Sequence, residues 1–158
     1  EFYKFTTDPI VLIAPVDHPW ARLGLINPEE LRDAVFIMRE QSSGTMATVY
    51  DGLAGVGVSR DDLETLLVLG NPEAIALAVQ EGLGVGFVSS IVVDKLVRDG
   101  VAVIDVRGLS LERDIYIGRY ANRQVTGAQA AFWEFAREEA HRLGTLATEL
   151  HVIEASYT

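Results

Sequence analysis

Apolar runs without alternation, each separated from the next by a turn and a helix signal, constrain this chain more than any single residue does. Residues 10–14 read IVLIA up to Pro15, and residues 35–39, 66–69, 85–88 and 101–106 are similarly apolar. A strand apolar on both sides is buried on both sides, the habit of parallel sheets covered by helices. Asp17-His18-Pro19 turns the chain after the first run. Asn27-Pro28-Glu29-Glu30 then starts a short helix, with Asn27 as cap, Pro28 at the first helical position and Glu30 placed to reach back. A second helix follows Ser43 through about Leu53, and Gly55 and Gly57 end it. Asn71-Pro72-Glu73 repeats the cap signal, with Ile75, Ala78, Val79 and Leu83 as the inward face of a helix that Gly82 stops. A helix over residues 91–98 is closed by Gly100, and residues 114–120 read as a strand. The last helix spans residues 126–143, where Phe132, Phe135, Ala136, Ala140 and Leu143 share one stripe at helical spacing. Strands alternating with helices predict an α/β fold with a mainly parallel sheet covered on both faces.

The 158 residues suit one globular domain or two small lobes, and 49% hydrophobic content supplies a core. The 23 acidic residues outnumber the 13 basic ones, for a net charge of −10. That charge repels nucleic-acid phosphates, so this segment is not expected to touch DNA itself. Absence of cysteine rules out a disulfide framework and fits a reducing, cytoplasmic setting. No apolar run is long enough to span a bilayer and no signal peptide opens the chain, so no membrane partner is expected. The strand almost at the N-terminus reads as the start of a fragment of a longer protein.

Three loops are candidates for binding chemistry. In the first, a strand runs into Ser42-Ser43-Gly44-Thr45 and then a helix. Free amides and the positive end of the macrodipole make such a start a seat for an anion; Ser42 or Ser43 as a plain cap is the alternative. Gly44 lets a ligand approach the backbone, and the hydroxyls can donate to a carboxylate, phosphate or sulfate. The second loop is Gly70-Asn71-Pro72-Glu73, at the carboxyl end of a strand, where open α/β sheets bind ligands. Asn71 also reads as an ordinary cap. The third is residues 86–90, where a strand leaves the sheet and Ser89 or Ser90 caps the next helix, and where Phe87 reads as core.

Catalytic and cofactor signals are poor. Gly82, Gly84 and Gly86 follow a helix and precede a strand, the wrong context for a dinucleotide fingerprint. His18, His141 and His151 are far apart in sequence, and no G-x-S-x-G elbow exposes a serine. The pairs Glu29/Glu30, Asp61/Asp62 and Glu138/Glu139 read as surface charge. No spacing has the form of a metal site. No catalytic residue, cofactor or metal is expected.

The phrases VLIAPVDHPWA (residues 11–21), LRDAVFIMREQSSGT (31–45), LGNPEAIALAVQEGLGVGFVS (69–89) and LSLERDIYIGRY (109–120), followed by AAFWEFA (130–136), occur in a telling order. Together they resemble the effector-binding domain of LysR-type transcriptional regulators, over about residues 8–143. The resemblance implies a fold like the type II periplasmic binding proteins, two α/β lobes joined by crossing strands with a small effector held between them. On that mapping residues 1–14 and 113–144 are the remnant of the first lobe with the hinge strands, residues 15–112 are the second lobe, and residues 145–158 are a C-terminal extension. Ala14, Pro15 and Ile115 lie at the hinges. The effector is expected to be a small anionic metabolite or inorganic anion at Ser42, Ser43, Gly44, Thr45, Asn71, Phe87 and Ser89. Many members of that family follow this Thr with Arg, whereas Met46 stands here, which argues against direct ion pairing from that position. A homo-oligomer is implied, and DNA contact only through a winged helix-turn-helix upstream of Glu1. A transporter's solute-binding protein or an enzyme on the same bilobal fold are the alternatives.

Overall fold

In a computed structural model of the chain, residues 1–97, 99–120 and 126–142 are described, the side chains of residues 141 and 142 excepted. The first strand, β1 (Phe2–Pro15), is followed by α1 (Pro19–Leu23), β2 (Leu25–Ile26), a 3₁₀ turn (Pro28–Asp33), β3 (Val35–Arg39) and α2 (Gly44–Gly55). After a second 3₁₀ turn (Arg60–Asp62) come β4 (Glu64–Leu69), α3 (Pro72–Gln80), β5 (Gly86–Ser89) and α4 (Ser90–Val92), which continues as a π turn (Val93–Val97). Then β6 (Val101–Val106), β7 (Glu112–Gly118) and α5 (Gly127–Arg142) complete the order. The chain divides into a smaller unit, residues 1–7 with those from Asp114 on, and a larger unit, Asp8–Arg113.

In the larger unit β1 lies between β5 and β6 and runs antiparallel to both, pairing Leu12 with Phe87 and with Ile104. The other described pairings in this unit, β2 with β6 and β3 with β4, are parallel, as is the bridge from Phe36 to Val85 that joins β3 to this sheet. Period-two alternation sends neighbouring residues to opposite faces. Leu12, Ala14, Phe36, Met38 and Phe87 pack with Met46, Val49 and Leu53 of α2 on one side. Ile13, Ile37 and Val88 pack with Ile75, Ala76 and Val79 of α3 and with Val93 and Val97 on the other. Helices therefore cover both faces of these strands, as their apolar runs require. Gly86 is part of that close packing, since a Cβ there would lie 2.9 Å from Ile75 Cγ2 and 3.0 Å from the Ile37 carbonyl oxygen. The apolar run of β4 was expected to be buried and instead exposes Leu66, Leu67 and Val68, because β4 is an edge strand that pairs only with β3 among the described residues.

The expected hinge residues fall on both sides of the division between the units. Ala14 and Pro15 pair with Ala102 and Val101 inside the larger sheet, and the unit begins at Asp8 because pairing with β5 already starts at Ile10. Ile115 lies in β7, on the smaller unit's side of the other boundary.

Three local expectations also shift. The His18-Pro19 turn continues into α1, where His18 Nδ1 accepts from the Trp20 amide at 3.2 Å. Burial lowers the His18 pKa despite the opposing pull of Asp17, which favours the neutral ring that such an acceptor must be. Leu83 is exposed, because α3 ends at Gln80 and Gly82, at φ 80°, turns the chain away first. In the smaller unit, α5 turns Trp133, Ala136 and Ala140 inward while Phe132 and Phe135 are exposed. The indole takes the inward seat: with Tyr3, Phe5 and Ile117 it forms this unit's core, and Arg119 stacks 4.5 Å from its ring centroid. Leu143 lies outside the described residues.

Candidate functional site

Of the hydroxyl and amide side chains expected to meet a ligand at helix starts, Asn71, Ser89 and Ser43 each have a different employment. Asn71 Oδ1 accepts from the amides of Glu73 (2.8 Å) and Ala74 (3.1 Å), which is complete capping of α3. Ser89 Oγ accepts from the Ile91 amide at 3.2 Å and donates to Asp8 Oδ1 at 2.5 Å, so both of its capacities are engaged. Ser43 occupies the N-cap position of α2 but its side chain makes no capping bond. The first intrahelical bond there is from the Ala47 amide to the Ser43 carbonyl at 3.2 Å, leaving the amides of Gly44, Thr45 and Met46 without helical partners. Ser43 is only 8% exposed, yet no fully buried side-chain oxygen among the described residues lacks a partner, so its hydroxyl keeps an opening to the surface. Ser42 and Gly44 are exposed, and a Cβ on Gly44 would meet nothing within 4 Å. The turn thus has room in front of it.

Thr45, the second residue of α2, is buried, and its Oγ1 accepts from Arg113 Nη1 at 2.8 Å. Arg113 also donates from Nε (3.0 Å) and Nη2 (2.9 Å) to Asp8 Oδ2. Asp8 is 1% exposed and Arg113 36%, a pair buried on its acidic side and open on its basic side. The structure therefore joins Thr45 and Ser89, two of the expected residues, through Asp8 and Arg113. The sequence reading missed this pair. The signal was an acid entering an apolar strand just ahead of Pro9 and a base in the LERDIY phrase, but Asp8 and Arg113 stand 105 residues apart and neither names its partner.

Beside this turn, Arg39 Nε and Nη2 donate to Glu40 at 2.9 and 2.8 Å. The guanidinium holds the Glu40 pKa down at about 2, and the neighbouring cation offsets the carboxylate's charge next to the Ser42-Ser43 turn. Phe87 is in the core, its ring stacked on Phe36 at 6.0 Å, where it also lines a groove of about 200 Å³ between β1 and β6. Among the described residues no cluster of three or more His, Cys, Asp or Glu is placed to hold a metal, and no helix is long and apolar enough to cross a membrane.

The family model for the LysR substrate binding domain matches residues 1–141. A RuBisCO operon transcriptional regulator of Acidithiobacillus ferrooxidans is 34% identical over 132 residues, which are 83% of this chain and 42% of that protein. The HTH-type transcriptional regulator CbbR of Sinorhizobium medicae is 30% identical over 139 residues, 87% of this chain and 44% of that one. The chain thus spans less than half the length of these curated relatives. Among solved structures, the CcmR regulatory domain of Synechocystis PCC6803, in complex with 2-PG, matches with a TM-score of 0.75 and 29% identity over 87% of this chain and 65% of that one. The effector binding domain of QuiR, in complex with shikimate, has a TM-score of 0.77 at 20% identity over 90% of this chain and 66% of that one, a likeness of fold. The uninterrupted strands, the helices on both faces and the open hydroxyl turn belong together: this chain is a member of the LysR substrate binding domain family.

Proposed function

We propose that this chain is the effector-sensing part of a LysR-type DNA-binding transcriptional regulator, and that it takes a small anionic metabolite or inorganic anion at the start of α2. The observation that carries the reading is the open first turn of α2, where Ser43 leaves the amides uncapped although Asn71 and Ser89 cap their own helices. Amides, dipole and hydroxyls there present donors and positive potential to an anion. The 2-PG complex of the CcmR domain supports the same class of ligand. Ser43, Gly44 and Thr45 are assigned to binding, with Ser42 at the exposed rim. Asn71, Phe87 and Ser89 shape the unit around them.

In the intact regulator the DNA contact belongs to a winged helix-turn-helix outside this chain, the assembly is a homo-oligomer in the cytoplasm, and the output is conformational, without catalysis. An effector shifts such an equilibrium only by its differential affinity for the two states. Calorimetric titration of the chain with 2-PG, and separately with inorganic phosphate, tests the site. A charge-assisted hydrogen bond contributes about 1.5–3 kcal/mol, so Ser43→Ala and Thr45→Ala should each weaken binding about tenfold or more. Unchanged affinity in both variants places the ligand elsewhere.

A further inference from the structure

The guanidinium of Arg113 is planar, with its donors in a fixed fork. Its Nε and one N–H of Nη2 go to Asp8, and one N–H of Nη1 goes to Thr45. The second N–H on each terminal nitrogen has no described acceptor, and with 36% of the side chain exposed that edge is accessible. Thr45 Oγ1, acting as acceptor toward Arg113, keeps its own proton to donate. Ser43, more than nine-tenths buried, has a hydroxyl with no described partner at the cap position of the same helix.

These donors gather around one helix start. The charges there are the guanidinium, the Asp8 carboxylate that neutralises it, the mutually neutralising Arg39–Glu40 pair beside the turn, and roughly half an elementary positive charge from the uncapped end of α2. Met46 is buried in the core and brings no charge. We propose that Arg113 reads the anion in this chain: the free edge of its guanidinium, the Thr45 hydroxyl and the open amides of Gly44 and Thr45 take one oxyanion group, a carboxylate or a phosphate. This rests on the effector reading above and adds to it the residue that supplies the charge. Asp8 and Ser89 are positioning residues. The series of bonds from the Ile91 amide to Ser89, from Ser89 to Asp8, and from Arg113 to Asp8 and to Thr45 fixes the orientation of the guanidinium before any ligand arrives. A donor held in advance gives up little entropy on binding.

The test is an NMR titration of the 158-residue chain with inorganic phosphate in one arm and acetate in the other. The amide signals of Gly44, Thr45 and Met46 and the Arg113 Nε–H signal should move together along one saturating curve, and the arm that saturates at lower concentration identifies the headgroup. Arg113→Lys should weaken the preferred anion a few-fold and Arg113→Gln at least tenfold. Because Arg113→Gln leaves the Asp8 charge buried alone, the neutral pair Asp8→Asn/Arg113→Gln, checked for folding by its thermal melt, should bind as weakly as Arg113→Gln. If the folded pair variant keeps wild-type affinity with the α2 amides still shifting, Arg113 has a structural role only; the inference fails and the effector reading stands. If neither anion moves those signals in the wild-type chain, both fail.

Discussion

Asp8 is a carboxylate only 1% exposed, and its two oxygens accept from Ser89 and Arg113. The pair is asymmetric, because one edge of Arg113 is exposed and Asp8 is buried. Removing the base therefore strands a charge, whereas neutralising the acid leaves a guanidinium that can hydrate. Arg113→Gln should cost about 3–5 kcal/mol, the range for breaking a buried pair, and Asp8→Asn about 1–2 kcal/mol, the scale of a weakened hydrogen bond. Urea unfolding of the two variants measures the difference, and equal losses would show that the Asp8 environment is wetter than described. Thr45 and Ser89 were legible in the sequence because a hydroxyl at a helix start advertises itself through its neighbours. Asp8 and Arg113 were not, since their pairing is made by tertiary folding across 105 residues and leaves no local pattern.

At the scale of elements, α2 and α3 begin alike in sequence, each a polar turn at the end of an apolar strand, and differ in the structure. Asn71 reaches two amides of α3; Ser43 reaches none of α2. Loss of a working cap costs about 1 kcal/mol. Asn71→Ala should therefore lower stability by about that amount, while Ser43→Ala should fall within about 0.5 kcal/mol of wild type. Matched chemical denaturation curves check this, and a Ser43→Ala loss as large as that of Asn71→Ala would show that Ser43 caps α2 after all. The elements themselves were largely readable: β3 and β6 fall where their apolar runs do, and the glycine and cap signals bound α2 and α3. Phase was harder to read than existence. In α5 the apolar residues span more than one face, so spacing alone did not reveal that Trp133, and not Phe132 or Phe135, would face Tyr3. The π turn over Val93–Val97 widens the helix by an extra backbone atom set per turn, a change that a 3.6-residue periodicity does not carry.

For the molecule as a whole, surface chemistry sets the expectations. The net charge of −10 opposes DNA contact by this chain. Strand β4 pairs only with β3 among the described residues and exposes Leu66, Leu67 and Val68, an apolar edge of the kind that promotes association. Sedimentation velocity should find the chain self-associating in a concentration-dependent way, with the Leu66→Lys/Val68→Lys double variant shifted toward the monomer. A wild-type chain that stays monomeric at high micromolar concentration would count against that edge. The larger unit has one more property, which follows from where its ends lie. The chain enters it at Asp8 and leaves it at Arg113, and those two residues are clipped together by the ion pair. Insertion of one domain into another succeeds where the ends of the guest stand side by side. The larger unit is therefore built as a cassette, with its own fastening at the splice point, and grafting it between two neighbouring positions of another scaffold would ask for no rerouting of its chain.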